Sequence, residues 1–250
     1  MSNGGWLIGI DDTDNLESRG TGHRARCLAA ELEQAGLGTV TGVTRHQLLV
    51  DDAIPYTSHN SSACLSVAPG ERPDRQGVVA LCRDFLKREA AEGSDVGLCI
   101  ATQSTAMRAR DFGLRAQRQV LQRTEAESLA AAAEILLEGL TGTHLGKIGA
   151  LAAVGLHSFG DDGRYLWVRG IRDLEDRTLA LGELLKQTGV DAVTTMDGDS
   201  LADRGANINL GSWPRPVRVS GKAILLVEKF NGAYAHWQVV SKETIKAFRP

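Results

Sequence analysis

A large excess of charge of one sign is missing from this chain: among 250 residues, 28 Lys and Arg stand against 31 Asp and Glu, a formal net charge of only -3. No global electrostatic pull toward a nucleic acid or a membrane follows from that balance. Long apolar runs are missing as well. The longest stretches, such as Ala223 to Val227, fall far short of the roughly 20 residues a membrane span requires. Residues Met1 to Gly5 lack a basic start leading into an apolar core, so no secretory signal is read and a cytoplasmic protein is expected. Paired cysteines are absent too. Cys27, Cys64, Cys82 and Cys99 form no Cys-x-x-Cys pair and have no paired histidines beside them, which argues against a zinc ribbon or a disulfide framework and for buried thiols.

What is present is a globular composition, 42% hydrophobic over a length sufficient for a sizeable core. The apolar run at 6–10 predicts a buried strand, and the helical spacing of Ala25, Leu28, Ala29 and Leu32 predicts a helix over 23–35 with Gly36 as its stop. Strands are expected at 39–50, 64–67 and 96–101, and a helix at 77–91. The spacing predicts helix throughout 106–140, then a break at Gly142, Gly146 and Gly149 and a short buried helix over 150–156. A strand at 164–171 and a helix at 174–188 follow. The tail reads as two strands, 217–230 and 233–240, joined by Asn231-Gly232, with Ser241 as the N-cap of a last helical turn. No internal repeat occurs. The mixture implies an α/β or α+β protein, in two domains meeting near Leu140.

The chemistry concentrates in a few short segments. Asp11, Asp12 and Asp14 place three carboxylates within four residues at the end of a buried strand, where such folds collect ligands. Carboxylates that close repel one another unless a cation sits among them, and Mg²⁺ suits hard oxygen ligands and arrives with phosphates. Turn and cap duty is the alternative use of these acids. Gly20-Thr21-Gly22 stands directly before a helix, where free backbone N–H groups would face a phosphate. A second Gly-rich turn runs from Gly142 to Gly149, with Lys147 available to supply charge. Its spacing is not that of a Walker loop, and tight helix packing explains the glycines equally well. Arg108, Arg115 and Arg118 fall on one side of the expected helix, with Arg110 and Arg123 nearby, as either an RNA-facing surface or a solvated face. Asp197-Gly198-Asp199 fits a metal contact or an acidic turn.

The string Gly9-Ile10-Asp11-Asp12-Thr13-Asp14, the Ile54-Pro55-Tyr56 to Asn60 segment and the later run from Ile148 to Gly155 resemble, in order and separation, the archaeal isoleucine-tRNA agmatinylcytidine synthetase family. The resemblance spans Ile8 to Ile171. It implies a kinase-like mixed α/β domain that binds ATP and Mg²⁺, here residues 1–140. A ferredoxin-like domain with a C-terminal hairpin is implied for residues 141–250. Enzymes of that family use ATP to phosphorylate the C2 oxygen of a tRNA cytidine, and agmatine displaces the phosphate. By resemblance Asp11, Asp12 and Asp14 handle metal and phosphate, with Asp11 and Asp12 as metal ligands. Thr21 is the hydroxyl nearest to the family's catalytic threonine, in a stretch reading Gly20-Thr21-Gly22-His23-Arg24. Thr13, Gly20, Gly22, Asn60, Gly146, Lys147 and Gly149 would border the nucleotide. The family's Lys-Thr-Arg-Gly-Asn gives way here to Thr57-Ser58-His59-Asn60, so Asn60 alone carries over, and the family's OB and zinc-ribbon parts have no counterpart in these residues. The expectation is an ATP- and Mg²⁺-dependent phosphotransferase or ligase whose acceptor is a small molecule or tRNA. The alternative is a non-catalytic RNA- or nucleotide-binding protein on the same scaffold. A homodimer through the edges of the C-terminal hairpin is a further expectation.

Overall fold

A computed structural model describes residues 5–54, 60–232 and 234–248. The chain divides into two compact units, 1–159 and 160–250.

The first unit opens with β1 (Trp6–Asp11), α1 (Thr21–Gln34), β2 (Thr39–Gln47), β3 (Ser61–Ala68), α2 (Arg75–Glu89) and β4 (Gly97–Thr102). This β-α-β-β-α-β connectivity is the ferredoxin-like motif. It thus lies in the first unit, whereas the resemblance placed it after Leu140. Three short helices follow, α3 (Gln103–Met107), α4 (Arg110–Ala116) and α5 (Arg123–Ala133), then β5 (Leu136–Gly139) and α6 (Gly146–Phe159). The strands form an antiparallel sheet in the order β5-β4-β1-β3-β2. Helices cover both faces: α1 and α2 pack on one, and α6 lies across the other, beneath α3, α4 and α5. Both faces of β1 are therefore apolar, with Leu7 in the cluster under α6 and Ile8 and Ile10 fully buried on the opposite side.

Helix α6 is buried from Gly149 through Ser158 and is apolar on every side through Leu156, as a core helix must be, while the buried His157 hydrogen-bonds Thr44 and Ser66. Burying Leu151, Val154 and Leu156 contributes roughly 1.5–3 kcal/mol each. Its approach to the sheet is as close as backbone permits. A Cβ on Gly9 would strike the Ala150 carbonyl, and one on Gly97 would strike Gly146. Because α6 belongs to this packing, the division of the chain falls after Phe159 rather than near Leu140.

The continuous helix expected over 106–140 is instead α3, α4, α5 and a strand. Glu134 ends α5 in the left-handed conformation, φ 57°, and Leu136 and Leu137 then pair with Ile100 and Cys99 of β4. Sheet pairing overrides the helical propensity of the Ala-rich run.

The second unit contains β6 (Arg164–Val168), a 3₁₀ turn at Arg172–Leu174, β7 (Thr178–Ala180), α7 (Leu181–Gln187), β8 (Ala192–Thr195), β9 (Asn207–Asn209), β10 (Val217–Val219), β11 (Lys222–Lys229), β12 (Trp237–Val239) and α8 (Lys242–Ala247). Its strands run in the order β6-β10-β11-β12-β9-β7, with β8 parallel to β11. The helix expected from 174 begins only at Leu181, because Thr178–Ala180 pairs with β9. The strand expected over 217–230 is itself a hairpin. Ser220 and Gly221 both take positive φ, 48° and 75°, which suits the tight turn between β10 and β11. The second hairpin has a wider connection than Asn231-Gly232 alone, closed by Phe230 N donating to His236 O at 2.8 Å. Strand β11 is flanked by β10, β12 and β8, and β12 also pairs with β9. The hairpin edges on which a homodimer was expected are therefore occupied within the chain. Ser241 caps α8 as expected, accepting from Thr244 N at 3.1 Å.

Cys64, Cys82 and Cys99 are buried, and Cys27 is exposed. Burial pushes the Cys82 thiol up to about 12. Among the described residues, no helix is long and apolar enough to cross a membrane.

Candidate functional site

Strand β1 ends on Asp11, opposite Gly97, the first residue of the antiparallel neighbour β4. The start of β4, the end of β1 and the first turn of α6 therefore meet at one end of these strands. Asp12 turns the chain away through a left-handed backbone, φ 49°, an uncommon conformation for a residue with a side chain. Thr13 is completely buried, and its carbonyl accepts from Ala91 N at 3.1 Å. Helix α1 starts behind Gly20, which has no side chain to cap it. Asp14 serves in its place, its Oδ1 accepting from Thr21 N at 3.1 Å and from Thr21 Oγ1 at 2.7 Å. Thr13 Oγ1 in turn donates to Thr21 Oγ1 at 3.0 Å.

The acids are poised against one another. Burial, then the charge of Asp12, then that of Asp14, push Asp11 up to about 8. Burial, then the charges of Asp95 and Asp14, push Asp12 up to about 6. A Cβ on Gly149 would collide with the Asp11 carboxylate, so the absence of a side chain there is what admits Asp11 against the first turn of α6.

These groups open onto a cavity of about 230 Å³ lined by Asp11, Asp12, Asp14, Thr21, Asn60, Ser61, Gly146 and Gly149, with Leu48, Ile54, Val120, Leu121, Leu145 and Ile148 as apolar wall. Gln119 and Gln122 add amide groups. The lining contains no Lys, Arg or His among the described residues. Asn60 is itself held in place, donating from Nδ2 to Leu49 O at 2.6 Å and accepting at its carbonyl from Leu48 N at 2.9 Å.

Of the residues singled out by sequence, the structure gathers Asp11, Asp12, Asp14, Thr21, Asn60, Gly146 and Gly149 on this cavity. Thr13 supports it from beneath, and Gly20 and Gly22 flank Thr21 without lining it. Lys147 points elsewhere, its ammonium pairing with Glu127 at 2.8 Å. Residues 55–59 of the expected Pro-aromatic segment lie outside the described residues.

The single helix expected to carry the arginines read as either an RNA-facing surface or a solvated face is broken into α3, α4 and α5, and several of these arginines have partners within the chain. Arg115 pairs with Glu125 at 2.7 Å, Arg123 lies 3.5 Å from Glu127, Arg108 donates to Ala132 O at 2.6 Å, and Arg110 stacks over Phe159 at 4.7 Å. Asp197-Gly198-Asp199 forms a turn in the second unit, with Thr195 N donating to Asp199 O at 2.9 Å.

Sequence reasoning missed Asp95 and the apolar wall. Asp95 faces Asp12, and its only sequence signal is an acid just before a strand antiparallel to β1. The wall comes from loops and helix ends far apart in sequence, which no local pattern connects.

Asp11 and Asp12 are hard oxygen donors of the type that could hold Mg²⁺. Among the described residues no three His, Cys, Asp or Glu side chains converge as a closed cage. Mg²⁺ needs none, since it keeps waters and is held by one or two carboxylates together with substrate phosphates. Burial and neighbouring acids, Asp12 and Asp14 for Asp11 and Asp95 and Asp14 for Asp12, disfavour ionisation of both carboxylates, and a divalent cation would favour it.

No family model matches the chain, and no curated protein matches it in sequence. Solved structures do. Apo TiaS, a tRNA agmatidine synthetase, aligns with TM-score 0.53 and 26% identity over 60% of this chain and 35% of its own. TiaS in complex with its isoleucine tRNA and ATP aligns with TM-score 0.54 and 26% identity over 61% and 36%. A tRNA fluorescent labeling enzyme aligns with TM-score 0.53 and 27% identity over 60% and 36%. This chain thus spans about a third of the length of each of these structures, and over that span it is similar to the TiaS core in its mixed α/β fold.

Proposed function

We propose that this chain is an ATP- and Mg²⁺-dependent phosphotransferase core of the kind that modifies tRNA. The observation that carries the reading is the cavity itself: three carboxylates and a carboxylate-bonded hydroxyl, a large apolar wall, and no cationic side chain among its described lining residues. A triphosphate would enter such a site together with its cation, whose charge offsets both the phosphates and the ionised acids.

In this reading Asp11 and Asp12 hold Mg²⁺, which when bound offsets the charge on the phosphates. The backbone at Gly146 and Gly149 borders the phosphates, and the wall of Leu48, Leu121 and Ile148 receives the base. Asp14 fixes the Thr21 hydroxyl and is placed to take its proton. Thr21 Oγ1 would then attack the γ-phosphorus. The bond to the β-bridging oxygen breaks, ADP leaves and the proton rests on Asp14. Positioning and charge neutralisation supply most of the rate in such transfers. Lys147 is occupied by Glu127, so neutralisation falls to the metal. The complexes of TiaS contain tRNA, ATP and agmatine, and we take a tRNA nucleotide as the final acceptor here: its oxygen would attack the phosphorus on Thr21, the bond from Thr21 Oγ1 to phosphorus breaks, and Asp14 returns the proton to the threonine.

The test is ATP turnover with labelled γ-phosphate, with Mg²⁺, with and without bulk tRNA. Turnover that tRNA stimulates and Asp12→Asn abolishes supports the reading. Turnover that tRNA leaves unchanged transfers the acceptor role to a small molecule, and a protein inert toward ATP fits the non-catalytic alternative.

A further inference from the structure

Asp95 touches both halves of the acid site. Its charge stands near the Asp12 carboxylate, and its backbone N–H donates a hydrogen bond to that carboxylate. Its backbone carbonyl accepts from Gly146 N, the first residue of α6, at 3.1 Å. Its side chain is spent on the turn leading into α6: Oδ1 accepts from His144 N at 2.5 Å, and Oδ2 accepts from the Thr143 hydroxyl. The turn is shaped around this carboxylate. Gly142 and His144 both take positive φ, 61° and 68°, and a Cβ on Gly142 would come within 2.6 Å of Asp95 Oδ1. Thr141 locks the flank, donating to Ser94 O at 2.6 Å and accepting from Val96 N at 2.9 Å.

The consequence is geometric. Asp11 is held against Gly149 on α6, and Asp12 against the backbone of Asp95. The separation of these two carboxylates therefore depends on where α6 begins relative to β4, and Asp95 makes that connection through its carbonyl and both carboxylate oxygens.

We infer that Asp95 is a positioning residue that sets the spacing of Asp11 and Asp12 for a shared divalent cation by latching the 142–146 turn to the start of β4. The inference rests on the cation role proposed above for Asp11 and Asp12. Asp95 does not line the cavity, so it acts through its neighbours. Groups of this kind around metal ligands typically change affinity by about 10–100-fold when removed.

The test uses the whole chain and Mn²⁺ as the paramagnetic stand-in for Mg²⁺. Affinity is read by electron paramagnetic resonance, beside amide exchange at His144 and Gly146. Asp95→Ala is expected to speed exchange at both amides and to weaken Mn²⁺ about tenfold or more. Asp95→Asn keeps an oxygen for His144 N and an amide group for the Thr143 hydroxyl, and is expected to restore most of the affinity. Should the alanine variant fail to fold, Thr143→Val removes the Oδ2 contact alone and is expected to weaken Mn²⁺ in the same direction. A folded Asp95→Ala with wild-type affinity overturns the positioning role, as does an asparagine variant no better than alanine. Wild-type protein that takes up no Mn²⁺ overturns the cation reading of the cavity and this inference with it.

Discussion

Thr21 presents both its amide and its hydroxyl to one oxygen of Asp14, at 3.1 and 2.7 Å. One carboxylate thus caps a helix whose N-cap residue is glycine and orients the hydroxyl that faces the cavity. Fold and chemistry share the contact, and substitutions can separate them. Thr21→Ser retains the hydroxyl and is expected to keep turnover within an order of magnitude. Thr21→Ala leaves the amide capped yet is expected to abolish turnover. Asp14→Ala removes the cap and is expected to cost about 1 kcal/mol of stability as well. Chemical denaturation beside an ATP-turnover assay reads both effects, and full turnover in Thr21→Ala contradicts the assignment.

The acids predict an inverted pH dependence. Asp11 titrates at about 8 in the folded chain against an ordinary 3.8, so between those values the folded state keeps a proton that the unfolded state has released. The stability that Asp11 contributes is therefore full below the lower value and is lost as pH rises through about 8. Mg²⁺ replaces that proton, so its affinity rises with pH over the same interval. Melting temperatures at pH 5 and pH 9, with and without Mg²⁺, are expected to show a metal-reversible loss at the higher pH. Asp11→Asn is expected to flatten the loss and to melt higher than wild type at pH 9 without metal. Equal slopes for the two proteins contradict the assignment of the titrating group to Asp11.

Much of this was legible in the amino-acid sequence because it is local. The run from Trp6 to Ile10 followed by three acids reads directly as a strand delivering carboxylates, and the spacing of Ala25, Leu28, Ala29 and Leu32 reads as α1. What stayed hidden depends on tertiary pairing. Leu136–Gly139 is a strand only because β4 lies beside it, and Thr178–Ala180 only because β9 does. The glycines at 146 and 149 fit packing and phosphate binding equally in sequence. The structure gives packing a definite share, since Gly97 and Asp11 would both collide with side chains there.

That packing share has its own expected outcome. Gly9→Ala places a methyl group against the Ala150 carbonyl, where backbone meets backbone and neither side has a flexible end to give way. Overpacking of this kind costs typically about 1–3 kcal/mol. Gly149→Ala adds displacement of Asp11 and is expected to lose cation binding as well. A Gly149→Ala protein that keeps wild-type cation affinity refutes the contact with Asp11.

Lys147 provides the counter-case. With its ammonium on Glu127 at 2.8 Å and away from the cavity, Lys147→Met is expected to change ATP turnover less than threefold, well under the roughly 1.4 kcal/mol that a tenfold change represents. A loss of a hundredfold or more would return the phosphate role to this lysine.

The most direct test of the central claim is calorimetric titration of ATP, with and without Mg²⁺, on wild type and on the Asp11→Asn, Asp12→Asn double variant. Binding that requires Mg²⁺ in wild type and vanishes in the folded double variant is the predicted result. ATP binding that ignores Mg²⁺, or that survives in the double variant, would contradict the assignment of this cavity to a cation-bound triphosphate.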